Sequence, residues 1–357
     1  MHVGISLLTL APGDLGGSET YARGLTRALA STGGLEYTVF VPTAARDAAG
    51  GLPAVEVRGL PLMRRGAPRM PAMRMTASLS RDLRRVTRSL DVLHYPLTVP
   101  LPRGRAANVV TLHDVQHHDL PELFSAAQRA FRGRAYDHAA RKAAAVIVPS
   151  EFVRARAVEQ LDLDRELVHV IPLGVDHALF TPGEDTRAPF LLYPAHALPQ
   201  KSHARLLEAF VLLRSELPEL RLVLTGGGLE RLGPLPEGVE RLGVVPVEEL
   251  ASLYRTAACL VFPSLYEGFG LPPLEAMASG CPVAASNVGA IPEVCAEAAV
   301  FFDPGDPAAI ANGVREALAL ADELHELGIA RASRFTWEET ARQHDAVYRA
   351  VGSKPGS

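Results

Sequence analysis

Short runs of apolar, largely β-branched residues bounded by turn formers recur along the chain: VGISLL from Val3, YTVFVP from Tyr37, VVTLHD from Val109, AVIVPS from Ala145 and VHVIPLGV from Val168. Amphipathic helical stretches separate them. The rhythm resumes with FLLYPA from Phe190, RLVLTG from Arg221, CLVFPS from Cys259, PVAAS from Pro282 and AVFFD from Ala299. Such alternation predicts parallel sheets covered by helices on both faces. Between the two series lies FTPGEDTRAP, residues 180–189, polar and carrying two prolines and a glycine, which reads as a linker. The pattern therefore predicts two α/β domains, 1–180 and 187–335, followed by a charged terminal helix over 336–351.

With 357 residues, 48 % of them hydrophobic and 21 % charged, and a net charge of −4, the chain has the make-up of an ordinary globular protein. A nucleic-acid binder with a global basic field is disfavoured. Its three cysteines, Cys259, Cys281 and Cys295, show no C-x-x-C spacing, so neither a disulfide framework nor a thiolate zinc site is indicated. The absence of a basic leader and of any bilayer-length apolar window leads us to expect a cytoplasmic protein, any membrane contact being peripheral at the inner face. Only three of the 36 basic residues are lysines, Lys142, Lys201 and Lys354, so a lysine is the unusual choice here. Charge is also uneven: residues 1–180 carry 22 basic and 17 acidic side chains, the remainder 14 and 23.

The segment PSLYEGFGLPPLEAMASGCPV, residues 263–283, leaves a buried strand and passes through a Gly- and Pro-rich turn into a helix expected to start near Leu271 or Pro272. Prolines cost little at first helical positions. Glu267 and Glu275 are eight residues apart, one at the turn and one about a helical turn inside. Gly268 and Gly270 allow close backbone approach to a ligand, and amides near a helix start suit an anion. This E-x7-E pattern closely resembles the signature of the retaining glycosyltransferases of family 4, which use nucleotide-sugars. The resemblance implies a GT-B architecture, two Rossmann-like parallel-sheet domains facing across a cleft, the first binding acceptor and the second donor. It further implies that Glu267 lies beside the donor sugar, that Glu275 accepts hydrogen bonds from the ribose, and that Phe269, Gly270 and Leu271 offer amides to sugar and diphosphate.

Three other segments fit the same resemblance. In YPAHALPQKSHARLLEAF, residues 193–210, Lys201 sits where the family places a base that neutralises the leaving diphosphate. Its usual arginine partner is replaced by His196. With an ordinary histidine pKa of about 6.5, His196 would be only partly charged at neutral pH. In APGDLGGSETYARGLTRAL, residues 11–29, Gly16 and Gly17 precede Ser18, an expected N-cap, and Glu19 and Arg23 are spaced i,i+4. By resemblance the Gly16–Gly17 loop faces the diphosphate. In VVTLHDVQHHD, residues 109–119, His113 and Asp114 resemble the family's sugar-pocket pair. A metal site through His113 and His117 would need a helix there, and an expected strand running to Asp114 argues against it. Ser150 and Glu151 are expected to cap a helix. The resemblance runs from about Gly4 to Tyr348.

These residues imply a metal-independent transfer of sugar, with retention, from a nucleotide-diphosphate donor to a hydroxyl of a glycan, lipid-linked or small-molecule acceptor. Glu267, Lys201 and His113 are the catalytic candidates, no cofactor is expected, and the domains are expected to close over the donor. GDP-mannose is the favoured donor because YPAHALPQKSH resembles mannosyltransferase members, and UDP-sugars follow. A non-catalytic scaffold of the same fold and a nucleotide-sugar epimerase are the rivals. Residues 63–88 carry four of six methionines and eight arginines against one acid, Asp82. They read either as a solvated basic helix or as a docking surface for an anionic membrane or lipid-linked acceptor.

Overall fold

A computed structural model describes residues 1–14, 16–61, 70–183 and 185–353. The chain forms two compact units, one of Met1–Gly174 with Trp337–Ser357, the other of Val175–Thr336. The division after Gly174 falls ahead of the expected linker because Val175 bridges to Thr336 and the Phe180 ring packs edge-on against Tyr254 at 5.8 Å. These contacts bind 175–180 to the second unit.

The first unit holds seven parallel strands: β1 (His2–Ser6), β2 (Glu36–Pro42), β3 (Ala54–Val57), β4 (Val92–Tyr95), β5 (Ala107–Thr111), β6 (Ala145–Val148) and β7 (Val168–Val170). Their order is β3-β2-β1-β4-β5-β6-β7, so chain direction across the sheet reverses between β1 and β4. Val3, Ile5, Val39, Val92, Leu93, Val109, Ala145 and Val146 are essentially inaccessible, as expected of strands covered on both faces. β3 and β4 escape the hydrophobic pattern because AVEV and VLHY are only four residues long and each contains a polar member.

The terminal helix Trp337–Gly352 packs on helix Gly17–Thr32 of this unit, and the contact requires a glycine: a Cβ on Gly24 would lie 2.4 Å from the Trp337 ring. A buried polar chain anchors the helix further. The Thr340 carbonyl can only accept, so His344 Nδ1–H donates to it (2.7 Å) and His344 Nε2 accepts from the Tyr21 hydroxyl (2.7 Å). Tyr21 then accepts from Thr111 Oγ1 (2.8 Å), Thr111 from His94 Nε2 (2.8 Å), and His94 Nδ1 from the Tyr348 hydroxyl (2.7 Å). Each donor finds an acceptor with both imidazoles neutral. Burial holds His94 well below the ordinary histidine value and brings His344 down to about 4.

The second unit holds β8 (Ala188–Pro194), β9 (Arg221–Thr225), β10 (Val239–Gly243), β11 (Ala257–Phe262), β12 (Val283–Ser286) and β13 (Val300–Phe302), ordered β10-β9-β8-β11-β12-β13. All pairs are parallel. Leu191, Leu192, Leu222, Leu224, Leu260, Val261 and Phe262 form the core. The exposed, charged VERLG of β10 carries no hydrophobic signal. Strand order reverses between β8 and β11, and in open α/β sheets ligands bind outside the strand C-termini at such a switch point.

Candidate active site

The loops leaving β8 and β11 carry most of the sequence-predicted residues. After β8 the chain makes a short 3-10 turn, Pro199–Lys201, and enters helix His203–Glu216 through Ser202 in the left-handed region. After β11 it enters helix Leu271–Ala278 through Gly270, whose φ of +111° suits glycine and whose absent Cβ would sit 2.6 Å from Ile291 Cδ1. The helix start at Leu271 agrees with the expectation. Pro272 and Pro273 have no N–H, so the amides at this end belong to Phe269, Gly270 and Leu271.

The two loops meet directly. Leu265 N–H donates to Gln200 O (2.8 Å), and Lys201 Nζ forms an ion pair with Glu267 Oε1. Their side chains are 20 % and 14 % exposed, enough screening to reduce the desolvation cost while leaving both heads reachable. Lys201 Nζ also lies 5.3 Å from the centre of the Phe262 ring, and the Tyr193 hydroxyl donates to Lys201 O (2.6 Å). Strand-borne aromatics thus fix the lysine backbone and head.

Glu267 is held by a third loop that the sequence reading passes over. Ala290 N–H donates to Glu267 O (3.0 Å), and Gly289, at φ +66°, approaches so closely that a Cβ would lie 2.6 Å from Glu267 O and 3.0 Å from its N. The signal in the sequence is the turn SNVGAIPE, residues 286–293, which opens helix Ile291–Cys295 with a proline at its second position. Phe269 buries its ring against Phe335 at 5.9 Å.

Glu275 is buried at 9 % exposure and accepts a hydrogen bond from Tyr254 OH (3.1 Å). Burial pushes its carboxyl up to about 7, the tyrosine bond opposing the shift only partly. Tyr254 is a second residue missed by the sequence reading. It lies on the apolar face of helix Val247–Thr256 and resembles a core aromatic.

His196 is tied to the loop after β9. Gly227 N–H donates to His196 Nδ1 (3.1 Å), and a Cβ on Gly227 would lie 2.7 Å from that nitrogen. The bond needs a lone pair on Nδ1, so it favours a neutral ring with its proton on Nε2. Protonating Nδ1 would set two N–H groups against each other, so the bond selects the Nε2–H tautomer of the neutral ring.

Gly16, Gly17, His113 and Asp114 lie in the first unit. Gly16 itself, not Ser18, occupies the N-cap of helix Gly17–Thr32 and no side chain caps it. The loop is braced from within: Gly13 N–H donates to Glu19 Oε2 (2.8 Å), and Glu19 pairs with Arg23 at the expected spacing (2.9 Å). Ser150 caps its helix through Val153 N–H (3.2 Å), as expected.

β5 ends at Thr111, so His113 and Asp114 stand in the following loop rather than in a strand running to Asp114. His113 Nε2 bonds Pro96 O (2.8 Å), which places its proton there and leaves Nδ1 as acceptor, and its ring meets Tyr21 edge-on at 5.1 Å. Burial lowers its pKa despite the Pro96 bond. For Asp114 burial acts upward, yet the Arg132 guanidinium at 2.8 Å and the Gln116 amide at 3.1 Å hold its carboxyl below the usual range. Arg132 is sandwiched near Phe124 and Tyr136. The considered pairing of His113 with His117 does not form: His117 and His118, on a short helix Gln116–Asp119, both turn to Asp137.

No described helix is long and apolar enough to cross a membrane. Of the basic methionine-rich segment, residues 63–69 lie outside the described residues. The remainder forms helices Met70–Leu79 and Arg81–Thr87, with Met73 buried and Met75 and Leu79 exposed.

The family model described as Glycosyltransferase Family 4 matches residues 15–179, and the one described as Glycosyl transferases group 1 matches residues 177–334. Among curated relatives, the O-antigen chain mannosyltransferase B of Escherichia coli is 29 % identical over 286 residues, covering 73 % of this chain and 75 % of the relative. The MMP alpha-(1->4)-mannosyltransferase of Mycolicibacterium hassiacum is 38 % identical over 201 residues, covering 51 % and 48 %. Among solved structures, sucrose-phosphate synthase from Thermosynechococcus elongatus superposes with a TM-score of 0.78 at 23 % identity, covering 99 % of this chain and all of that one, a likeness of GT-B fold.

Proposed function

The chain belongs to glycosyltransferase family 4, and on that premise we propose that it transfers a hexosyl unit, mannose first among candidates, from a nucleotide-diphosphate donor to a hydroxyl of a glycan, lipid-linked or small-molecule acceptor, with retention of configuration. The observation that carries this reading is the Lys201–Glu267 ion pair at the β8/β11 switch point, in the same unit as the buried Glu275. A carboxylate beside the donor sugar stabilises oxocarbenium-like charge. A lysine one ion pair away is available to the departing diphosphate, and preorganised amides add to it. Glu275 accepts from the ribose hydroxyls. His196 supplies a neutral Nε2–H rather than a cation. On the first unit, His113 Nδ1 accepts from a sugar hydroxyl, with Asp114 and Arg132 fixing its loop.

GDP-mannose is the preferred donor, supported by the mannosyltransferases among the relatives. The leaving phosphate oxygen takes the acceptor proton on the same face of the sugar, which yields retention without a metal. A non-catalytic scaffold is less well supported, because the lysine and both glutamates are present and organised. Thermal stabilisation by GDP, UDP, ADP and TDP and their sugars tests the proposal: a ligand at 100 times its Kd adds about 2.7 kcal/mol. We expect one nucleotide series to stabilise the wild type and to lose its effect in Glu275→Ala. Folded protein indifferent to every series would overturn the assignment. Exposed Met75 and Leu79 beside Arg74, Arg81 and Arg85 support a peripheral contact with anionic lipid, to be checked by salt-sensitive sedimentation with anionic vesicles. Absence of binding at low salt removes it.

A further inference from the structure

Outside the proposed donor and acceptor residues, one side-chain cluster has the make-up of a metal site. Helix Gln116–Asp119 projects His117 and His118 toward a long helical segment in which residues Gly133–Asp137 adopt a π turn between helices Ala126–Arg132 and His138–Lys142. Single π turns insert a residue into the helical register and re-aim the side chains near them, often at functional sites. Here Asp137 is delivered, 5 % exposed, between the two imidazoles: His117 Nε2 lies 3.0 Å from Oδ1 and His118 Nε2 2.9 Å from Oδ2. The two rings are 4.2 Å apart, and all three ligand atoms lie within 4.8 Å of one another.

We propose that His117, His118 and Asp137 bind one divalent transition-metal ion, with Zn²⁺ as the probe, and so fasten the loop after Asp114 to the helix that carries Arg132. Two imidazoles and a carboxylate are the donor set of open-sided Zn²⁺ and Fe²⁺ sites. A tetrahedral ion about 2.1 Å from each ligand holds two ligands about 3.4 Å apart, so the contacts of 3.0 and 2.9 Å need to open only slightly to admit it. Charge argues the same way. The ion partners of Asp137 among the described residues are these two histidines, with no arginine or lysine beside them, so a divalent ion would meet a buried carboxylate that no permanent cation pairs.

The site has a way in. His118 is 29 % exposed, and the position facing Oδ2 from the π turn is Gly133, whose missing Cβ would stand in ordinary contact with it at 3.7 Å. Binding moves each ring proton from Nε2 to Nδ1, with no redox change. For His117 this puts a proton on a buried Nδ1 that has no partner among the described residues, a cost that weakens the site relative to one with bonded imidazoles. No step of sugar transfer passes through the ion.

The test uses the full chain, stripped with EDTA and dialysed, then titrated with Zn²⁺ by equilibrium dialysis and with Co²⁺ by visible absorption. We expect one equivalent to bind saturably below about 100 μM, with a Co²⁺ d–d band and a rise in Tm reversed by EDTA. His118→Ala and Asp137→Asn should weaken binding at least about tenfold, as expected for loss of a ligand. The first variant removes a part-exposed ring and the second keeps the shape of the buried group, so one remains readable if the other folds poorly. Absence of saturable binding to the wild type overturns the proposal. So does equal binding by both variants, which would place the ion on other histidines.

Discussion

Glu275 offers a quantitative test of the nucleotide site. In the free protein burial raises its carboxyl to about 7, so near neutrality it is half protonated. A ribose diol donates hydrogen bonds, and an ionised carboxylate accepts them better than a protonated one. Nucleotide binding should therefore return the group toward its ordinary value and release protons. If the bound pKa falls to about 4.5, the apparent Kd should be about tenfold weaker at pH 6 than at pH 8, with about half a proton released per nucleotide at pH 7. Isothermal titration in buffers of different ionisation enthalpy reads both quantities. Glu275→Gln should bind more weakly and lose the pH dependence between 6 and 8. Tyr254→Phe removes the donor that opposes the upward shift, so the midpoint should move up in pH. The same pKa predicts the sign of the stability profile. A carboxyl raised on folding stabilises the free protein below its unfolded pKa, and that contribution is lost as pH rises through about 7, on the order of 3 kcal/mol. Flat affinity across pH 6–8 in the wild type, with Glu275→Gln binding normally, would refute the placement of this glutamate on the ribose.

The alternation of apolar strands and helices was legible in the sequence because parallel strands covered on both faces have to be apolar throughout. β3, β4 and β10 were not, being short or exposed with charged residues. At the candidate site, resemblance to the family's segments picked out Lys201, Glu267 and Glu275, and the Gly- and Pro-rich strand-to-helix turn added a local signature around the two glutamates. It could not reveal that Lys201 and Glu267, 66 residues apart, form an ion pair, because that depends on β8 and β11 being neighbours. Nor could it reveal the tautomer of His196, set by an amide 31 residues away. The His117–His118–Asp137 cluster was hidden for a related reason. A π turn has no strong propensity signal, and without it Asp137 would face elsewhere. β5 stops at Thr111, short of the expected end at Asp114, so the loop that lets His113 bond to Pro96 O was not legible either.

Three further outcomes follow from the packing. Lys201→Ala and Glu267→Gln should each reduce kcat by about 10² or more, and the double variant should lose much less than the product of the two, since either change already breaks the pair; independent losses in a double-mutant cycle would count against a joint role. His344, held at about 4 by burial, is neutral in the folded protein, so stability present above pH 6.5 should fall by on the order of 3 kcal/mol as pH drops toward 4. His344→Gln should flatten that limb of a urea-denaturation profile, and an unchanged acid limb would refute its origin. The third concerns Gly289. Alanine there meets two separate penalties: a φ of +66° that side chains rarely adopt, and a Cβ 2.6 Å from Glu267 O. The obstructing atoms are backbone, which cannot swing aside as a side-chain tip would, so relief requires moving the loop that presents Glu267. Stability should drop by about 1–3 kcal/mol. Turnover should fall by more than stability explains, because displacing Glu267 also weakens its pairing with Lys201, and an ångström of misplacement at a reacting centre costs about 10² in rate. If Gly289→Ala lost only stability and kept full kcat at a temperature where it is folded, the loop would be a scaffold and not the support that positions Glu267.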